Sequence, residues 1–124
     1  KFFQFKSDLE NSVKKIYTEY GSVRIENFNL PARYRQICFI DLDSTFNQKL
    51  CSVDQVACDV WKDAPNYKGA DQNVFLKPLA ETTIKVYKIE TGPSGFLCLN
   101  ITRGKFKLKL EGKGDRTKIS LPPR

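Results

Sequence analysis

The chain of 124 residues contains no histidine and no methionine, and it has only one tryptophan. Without histidine it lacks the side chain that most often serves as a general base and as a metal ligand. The missing methionine at position 1 predicts a processed or trimmed product. No apolar run approaches the ~20 residues that a membrane-spanning helix needs, so any signal or anchor is expected upstream of Lys1.

The composition is typical of one folded domain with a basic surface. Apolar residues make up 40% of the chain, and lysine plus arginine outnumber the acids by 21 to 14, for a net charge of +7. A domain of this length buries roughly two-thirds of the surface that its unfolded chain exposes, which is enough to form a core. The positive charge favours anionic partners such as nucleic acid, acidic lipid headgroups or acidic glycans, although a merely solvated lysine-rich surface has the same composition.

Four cysteines, an even number in a small chain, predict two disulfide bonds and therefore an oxidising compartment. The residues concerned are Cys38, Cys51, Cys58 and Cys98. Four buried free thiols are the alternative interpretation. A zinc site is not favoured and no metal is predicted, because the sequence has neither a Cys-x-x-Cys pair nor a histidine.

Residues 2–20 predict an amphipathic helix, because apolar side chains recur every three or four positions and Gly21 is well placed to end it. The apolar stripe begins at the first residues, as it would if the helix continued an absent upstream anchor. The predicted division is therefore an N-terminal helix over 1–21 and a single β-rich domain over 22–124. An ordinary amphipathic helix laid on a sheet is the alternative.

Alternating and apolar runs predict about seven strands after this helix. Val23–Asn29 alternates, and residues 35–42 contain four consecutive apolar side chains, so the second run is expected to be central and buried on both faces. These two strands are predicted to form a hairpin. Short connections favour antiparallel pairing, so the predicted class is α+β, with the helix packed on or leading into a mainly antiparallel β-sandwich or curved sheet. Further strands are predicted at 73–77, 82–90 and 96–101, a short helix at 51–63 capped by Ser52 with Gln55, and a loop at 65–69.

The C-terminal segment predicts a β-hairpin with one apolar and one basic face. Phe106, Leu108 and Leu110 alternate with lysines, and two glycines at 112–115 supply the turn. Nucleic-acid binding is not favoured, because the aromatic ring falls on the inward face and not between the charges. The predicted basic contact face consists of Lys105, Lys107, Lys109, Arg116 and Lys118.

The segment ICFIDLDST at 37–45 resembles the first motif of the haloacid-dehalogenase-like phosphatases. In that family the first aspartate attacks phosphorus and the second protonates the leaving group beside Mg²⁺, so the resemblance implies these roles for Asp41 and Asp43. The family also needs a parallel sheet with crossover helices, whereas this chain continues mostly as hairpins. The other interpretation is a strand end whose aspartates cap a turn. The residue inventory as a whole predicts no enzyme, no cofactor and no small-molecule substrate.

Several diffuse motifs run along nearly the whole chain: YxxYGS at 17–22, NLP at 29–31, ICFID at 37–41, NVFLxP at 73–78, FLCLN at 96–100 and LxLEGKG at 108–114. Together they resemble small archaeal surface proteins that follow a single N-terminal membrane helix, a layout similar to pilin-like subunits. The resemblance implies a non-enzymatic, structural or adhesive domain at the cell surface, anchored through a segment upstream of Lys1. Its expected partners are other copies of itself, other surface proteins, or an anionic glycan or lipid. Asn100, in the one Asn-x-Thr pattern, is the predicted glycosylation site.

The same resemblance implies the disulfide pairing, because the cysteines of the two apolar strands recur in that group. Cys38 is then expected to bond Cys98, which leaves Cys51 to bond Cys58. Seven residues along a helix span about 10 Å, whereas a disulfide needs Cα atoms within about 7 Å of each other. The second pair therefore requires either a helix that starts after Ser52 or a crossed pairing, and we favour the later start.

Overall fold

The computed structural model describes residues 1–67 and 70–123. Within that part of the chain, two helices and seven strands form an α+β fold, which confirms the predicted class. Two short 3₁₀ helices, Gln48–Ser52 and Ala64–Tyr67, flank the second helix, and the last two residues of the loop predicted at 65–69 lie outside the described residues. The elements are α1 (Phe2–Ile16), β1 (Val23–Asn29), β2 (Gln36–Ile40), α2 (Gln55–Asp63), β3 (Val74–Lys77), β4 (Ile89–Glu90), β5 (Phe96–Asn100), β6 (Lys105–Gly112) and β7 (Thr117–Ser120).

The strands form two sheets. The four-stranded sheet has the order β1-β6-β7-β4, and the three-stranded sheet has the order β3-β2-β5. All pairs are antiparallel except β4 with β7. The apolar run of β2 lies at the centre of its sheet with Ile37, Cys38, Phe39 and Ile40 fully buried, as the sequence predicted.

Two apolar clusters lie on opposite faces of the three-stranded sheet. The side chains of Ile37 and Phe39 enter the larger cluster, which includes the apolar face of α1 and the inward residues of the four-stranded sheet. Cys38 and Ile40 point the other way, toward Trp61 of α2. This division follows from the two-residue period of a strand. Burying one large apolar side chain contributes roughly 1.5–3 kcal/mol, so the larger cluster dominates the stability of the fold.

Helix α1 packs on the inner face of the four-stranded sheet and ends at Ile16, four residues before the predicted end. The Thr117 hydroxyl of β7 donates a buried hydrogen bond of 2.9 Å to the Val13 carbonyl. After the helix, the Gly21 N–H donates to the Gly112 carbonyl, and Gly21 has a φ of +85°. Gly21 therefore allows the turn through which the chain enters β1 and begins to pair with β6. It does not cap α1.

The predicted hairpin of β1 with β2 is wrong, because the two strands belong to different sheets. The Leu30 N–H extends the ladder between β1 and β6 by donating to the Gly104 carbonyl at 2.7 Å. A Cβ at Gly104 would overlap the Leu30 carbonyl, so only glycine permits this approach. The chain then turns at Pro31, buries Tyr34 and enters β2 in the other sheet.

The long strand predicted at 82–90 is also wrong, since only Ile89–Glu90 is a regular strand. Ile84 forms an isolated bridge with Val74 in one sheet, whereas Ile89 pairs with β7 in the other. Between them, the buried Asn73 side chain accepts from the Val86 N–H at 2.9 Å and donates to the Val86 carbonyl at 3.0 Å. A side-chain amide thus replaces a neighbouring strand while the segment crosses between the sheets.

The Cys38–Cys98 disulfide joins two residues that lie opposite each other on β2 and β5, with Cα atoms 4.0 Å apart. The Asp41 N–H donates to the Gly95 carbonyl and the Ile101 N–H to the Arg35 carbonyl. Odd-numbered residues therefore form the hydrogen-bonded pairs, and the two cysteines form a close non-hydrogen-bonded pair. This is the pairing implied by the resemblance.

The Cys51–Cys58 disulfide confirms the second implied pair and the later start of α2. Cys51 lies in the 3₁₀ helix before α2, and its Cα atom is 4.8 Å from that of Cys58. The predicted cap at Ser52 is wrong: the Asp54 carboxylate accepts from the Ala57 N–H at 3.1 Å and begins the helix at Gln55. A helix starting at Ser52 would have carried Cys51 too far from Cys58.

Candidate functional site

The outer face of the four-stranded sheet carries a row of lysines on β6. Phe106, Leu108 and Leu110 point inward and are buried, so the alternate residues face solvent. Side chains two residues apart on one strand face lie about 6.8 Å apart, so the row is about 14 Å long. The name lysine row refers to Lys105, Lys107 and Lys109.

In the described strands, no carboxylate lies directly opposite a member of the lysine row. The residues opposite it on β1 are Asn29, Asn27 and Ile25, and Ser120 of β7 lies opposite Lys109 on its other side. Among the described residues, none of the five ion pairs includes a member of the row, and the nearby Glu111 carboxylate pairs with Lys113 at 3.7 Å. A row of positive charges without an ion-pair partner in the described part of the chain favours contact with an anionic ligand.

The other two predicted basic residues occupy different positions. Lys118 lies on the same outer face of β7, opposite Glu111 and diagonal to Lys109, at the ~7–8 Å that separates such neighbours. Arg116 lies in the hairpin turn at the far end of the sheet from Lys105, and its guanidinium donates two hydrogen bonds of 3.3 Å to Asp115. These hydrogen bonds raise the pKa of Arg116 and lower the pKa of Asp115. The sheet thus brings four of the five predicted basic residues onto one face.

Two apolar side chains beside the lysine row were not predicted as part of a surface. Val23 and Ile25 of β1 point outward and are 51% and 48% exposed. The alternation of the sequence already indicated that these two side chains face outward. Phe28 lies on the same face of β1 as Arg24 and Glu26, and only one face of the strand can be buried in the core. The burial of Phe28 therefore places both β-branched side chains in solvent.

Asp41 and Asp43 lie in the turn that follows β2. The Asp41 carboxylate accepts a hydrogen bond of 3.1 Å from the Asp43 N–H and one of 2.9 Å from the Ser44 hydroxyl. This arrangement is the turn cap that formed the second interpretation of the motif. β2 has an antiparallel neighbour on each side, so the parallel sheet that the phosphatase family requires is not present around it. In the described part of the chain, no group of three or more His, Cys, Asp or Glu side chains could hold a metal ion.

The predicted glycosylation acceptor is accessible. Asn100 is the last residue of β5 and is exposed, as is Thr102, while Ile101 between them is buried. An acceptor asparagine must reach a transferase from solvent, and this strand end allows it.

No protein family, no curated protein and no solved structure matches this chain. In the residues that the structure describes, no helix is both long enough and apolar enough to cross a bilayer. The two disulfides point to an oxidising environment such as the cell exterior.

Proposed function

We propose that this chain is a non-enzymatic structural or adhesive domain of an extracytoplasmic surface protein, and that its lysine row contacts an acidic glycan. The observation that carries the proposal is the row itself, three lysines in one line with no carboxylate directly opposite any of them. The disulfides and the exposed Asn100 support the location outside the cell. The resemblance to archaeal pilin-like proteins supports an anchor upstream of Lys1.

A glycan is favoured over nucleic acid by the side chains around the row. Proteins that bind single-stranded nucleic acid without sequence preference stack bases on aromatic rings. The outward positions of β1, β6 and β7 hold lysine, asparagine, serine, valine, isoleucine and glutamate, and none of them is aromatic. A line of charges about 6.8 Å apart suits a linear polyanion laid along β6.

Removing the charge of the row is expected to weaken glycan binding about tenfold or more. The variant is Lys105→Gln with Lys107→Gln and Lys109→Gln, and the probe is a soluble uronate- or sulfate-bearing polysaccharide. Exposed ion pairs contribute roughly 0.2–1 kcal/mol each, so three together change the affinity by about three- to 150-fold. Low salt leaves the charges least screened, so we expect the upper part of that range. Isothermal titration calorimetry with the wild-type chain and the variant measures the difference.

The matched control removes the same charge from the two helices through Lys14→Gln, Lys15→Gln and Lys62→Gln, all exposed. We expect this control to bind within about threefold of wild type, since only screened, long-range attraction is lost. Equal losses in both variants, or no binding by the wild type, would overturn the assignment of the row. Tighter binding to single-stranded oligonucleotides or to anionic vesicles would replace the glycan by that partner.

The location outside the cell predicts two covalent features of the native protein. Unreduced peptide mapping is expected to give the Cys38–Cys98 and Cys51–Cys58 links and a glycan mass on the peptide containing Asn100. Asn100→Gln should remove that mass while both links remain. Free thiols together with an unmodified Asn100 would contradict an extracytoplasmic location.

A further inference from the structure

We propose that two copies of this chain pair through their β1 strands, which joins the two four-stranded sheets into one antiparallel sheet with a two-fold axis at Ile25. The inference deepens the proposed function and rests on it for its biological role, since it describes how a structural surface domain would assemble. The pairing itself involves only β1 and the strands beside it.

Among the described strands, β1 forms a long sheet edge whose outer side has no partner strand. It has seven residues and pairs on one side only, with β6. The Gly112 N–H donates to the Ser22 carbonyl and the Leu30 N–H to the Gly104 carbonyl, so the even-numbered residues of β1 form the ladder with β6. The N–H and C=O groups of Val23, Ile25, Asn27 and Asn29 therefore point away from the sheet, as a template for another strand.

The other sheet edges are shorter or already occupied. β4 has two residues. The outer side of β3 receives the bridge from Ile84. On β5, the Phe96 carbonyl accepts a hydrogen bond of 2.9 Å from the Ser94 hydroxyl, and Asn100 at its end is the glycosylation acceptor. Of the sheet edges that the structure describes, β1 therefore has the most free backbone groups, and two half-exposed β-branched side chains lie beside them.

Charge selects one register. With the two-fold axis at Ile25, Arg24 of each copy lies opposite Glu26 of the other in a non-hydrogen-bonded pair, where side chains are closest. An axis at Glu26 places the two Glu26 carboxylates against each other, and an axis at Arg24 does the same with two guanidinium groups. An axis at Asn27 places Glu26 opposite Phe28. Only the axis at Ile25 gives two reciprocal pairs of opposite charge, and it also places the two Ile25 side chains face to face.

The contacts that Arg24 and Glu26 make within one chain are weak enough to be replaced by ion pairs with a second copy. Arg24 approaches Glu19 at 3.7 Å, with both side chains nearly half exposed. Glu26 lines a polar groove of about 380 Å³ together with Lys15 of α1. Exposed pairs of this kind contribute little to stability.

The positive charge of the chain does not prevent this pairing. In the joined sheet the two lysine rows are separated by three strand spacings of ~4.8 Å, about 14 Å in all, which exceeds the Debye length of ~8 Å at physiological salt. Salt therefore screens most of their repulsion. The two rows then lie on one continuous face, so a polyanion can contact both copies at once.

The test is the self-association of charge variants, measured by sedimentation velocity from about 1 μM to about 1 mM. We expect a wild-type dimer whose dissociation constant rises about tenfold or more in Glu26→Lys and in Arg24→Glu, because each places like charges opposite each other twice. The double variant Arg24→Glu with Glu26→Arg restores the opposite pairs and should return within about threefold of wild type. Asp59→Lys, the same charge change on exposed α2, is the control and should dimerise like wild type.

A second variant, Ile25→Pro, removes an N–H that does not take part in the hydrogen bonds between β1 and β6. We expect it to prevent the dimer and to leave the circular dichroism spectrum unchanged. A wild type that stays monomeric throughout, a dimer that Glu26→Lys leaves intact, or a double variant no better than the single ones would overturn the proposal. None of these variants changes the lysine row. The two proposals are therefore tested independently: glycan binding can persist in a chain that does not dimerise, and a dimer can form from a chain that does not bind glycan.

Discussion

Replacing Cys38 and Cys98 with alanine is expected to lower the free energy of unfolding by about 4 kcal/mol, about twice the effect of replacing Cys51 and Cys58. A cross-link stabilises mainly by restricting the unfolded chain, and the restriction grows with the length of the closed loop. The first bridge joins residues 60 apart in sequence and the second joins residues 7 apart. For total stabilities of about 5–15 kcal/mol, the first loss is a large fraction.

Urea-induced unfolding of the two double-alanine variants and the wild type measures both effects under one set of conditions. The pair at 51 and 58 is the matched control, since each bridge contributes one buried and one partly buried cysteine to the smaller apolar cluster. Equal losses, or a larger loss at the short loop, would show that loop length does not govern how these bridges stabilise the fold.

Phe106→Ala is expected to lower the free energy of unfolding by about 3–5 kcal/mol. The ring lies where three elements meet: its centroid is 5.9 Å from Phe5 of α1, 5.3 Å from Phe28 of β1 and 6.5 Å from Phe39 of β2. It is 5% exposed, so alanine leaves a cavity in addition to losing the transfer free energy of the ring.

Lys107→Ala is the control for Phe106→Ala, because it is the next residue of β6 and faces solvent. Its effect should lie within about 0.5 kcal/mol of zero. Thermal unfolding followed by circular dichroism compares the two. A larger loss of unfolding free energy in Lys107→Ala than in Phe106→Ala would mean that β6 presents the opposite face to the core.

The parts of the fold that the sequence predicted are those with a strong local pattern. The four apolar residues of β2 can only be accommodated by burial on both faces, and the unbroken alternation of β6 assigns each side chain to a face. The apolar stripe predicted over residues 2–20 likewise contains the five buried residues of α1, whereas Tyr20 at its end lies beyond the helix and is exposed. For the same reason the lysine row was visible in the sequence.

The parts that failed depend on contacts between residues distant in sequence. β1 and β2 are consecutive, but the partner of β1 is β6, some eighty residues later, and the close approach of Gly104 to Leu30 gives no local signal. The side chain of Asn73 substitutes for a strand beside Val86, so an alternating segment is mostly irregular. The unpaired edge of β1 could be recognised only after its single neighbour was known.

The most direct test of the proposed contact surface is the salt dependence of glycan binding. We expect the logarithm of the association constant to fall linearly with the logarithm of salt concentration for the wild type, because bound cations are released from the polyanion. The Lys105, Lys107 and Lys109 triple glutamine variant should show a clearly shallower slope, whereas the Lys14, Lys15 and Lys62 variant should keep the wild-type slope. Identical slopes for the wild type and the triple variant of the row would contradict the account, since the three lysines would then not contact the glycan.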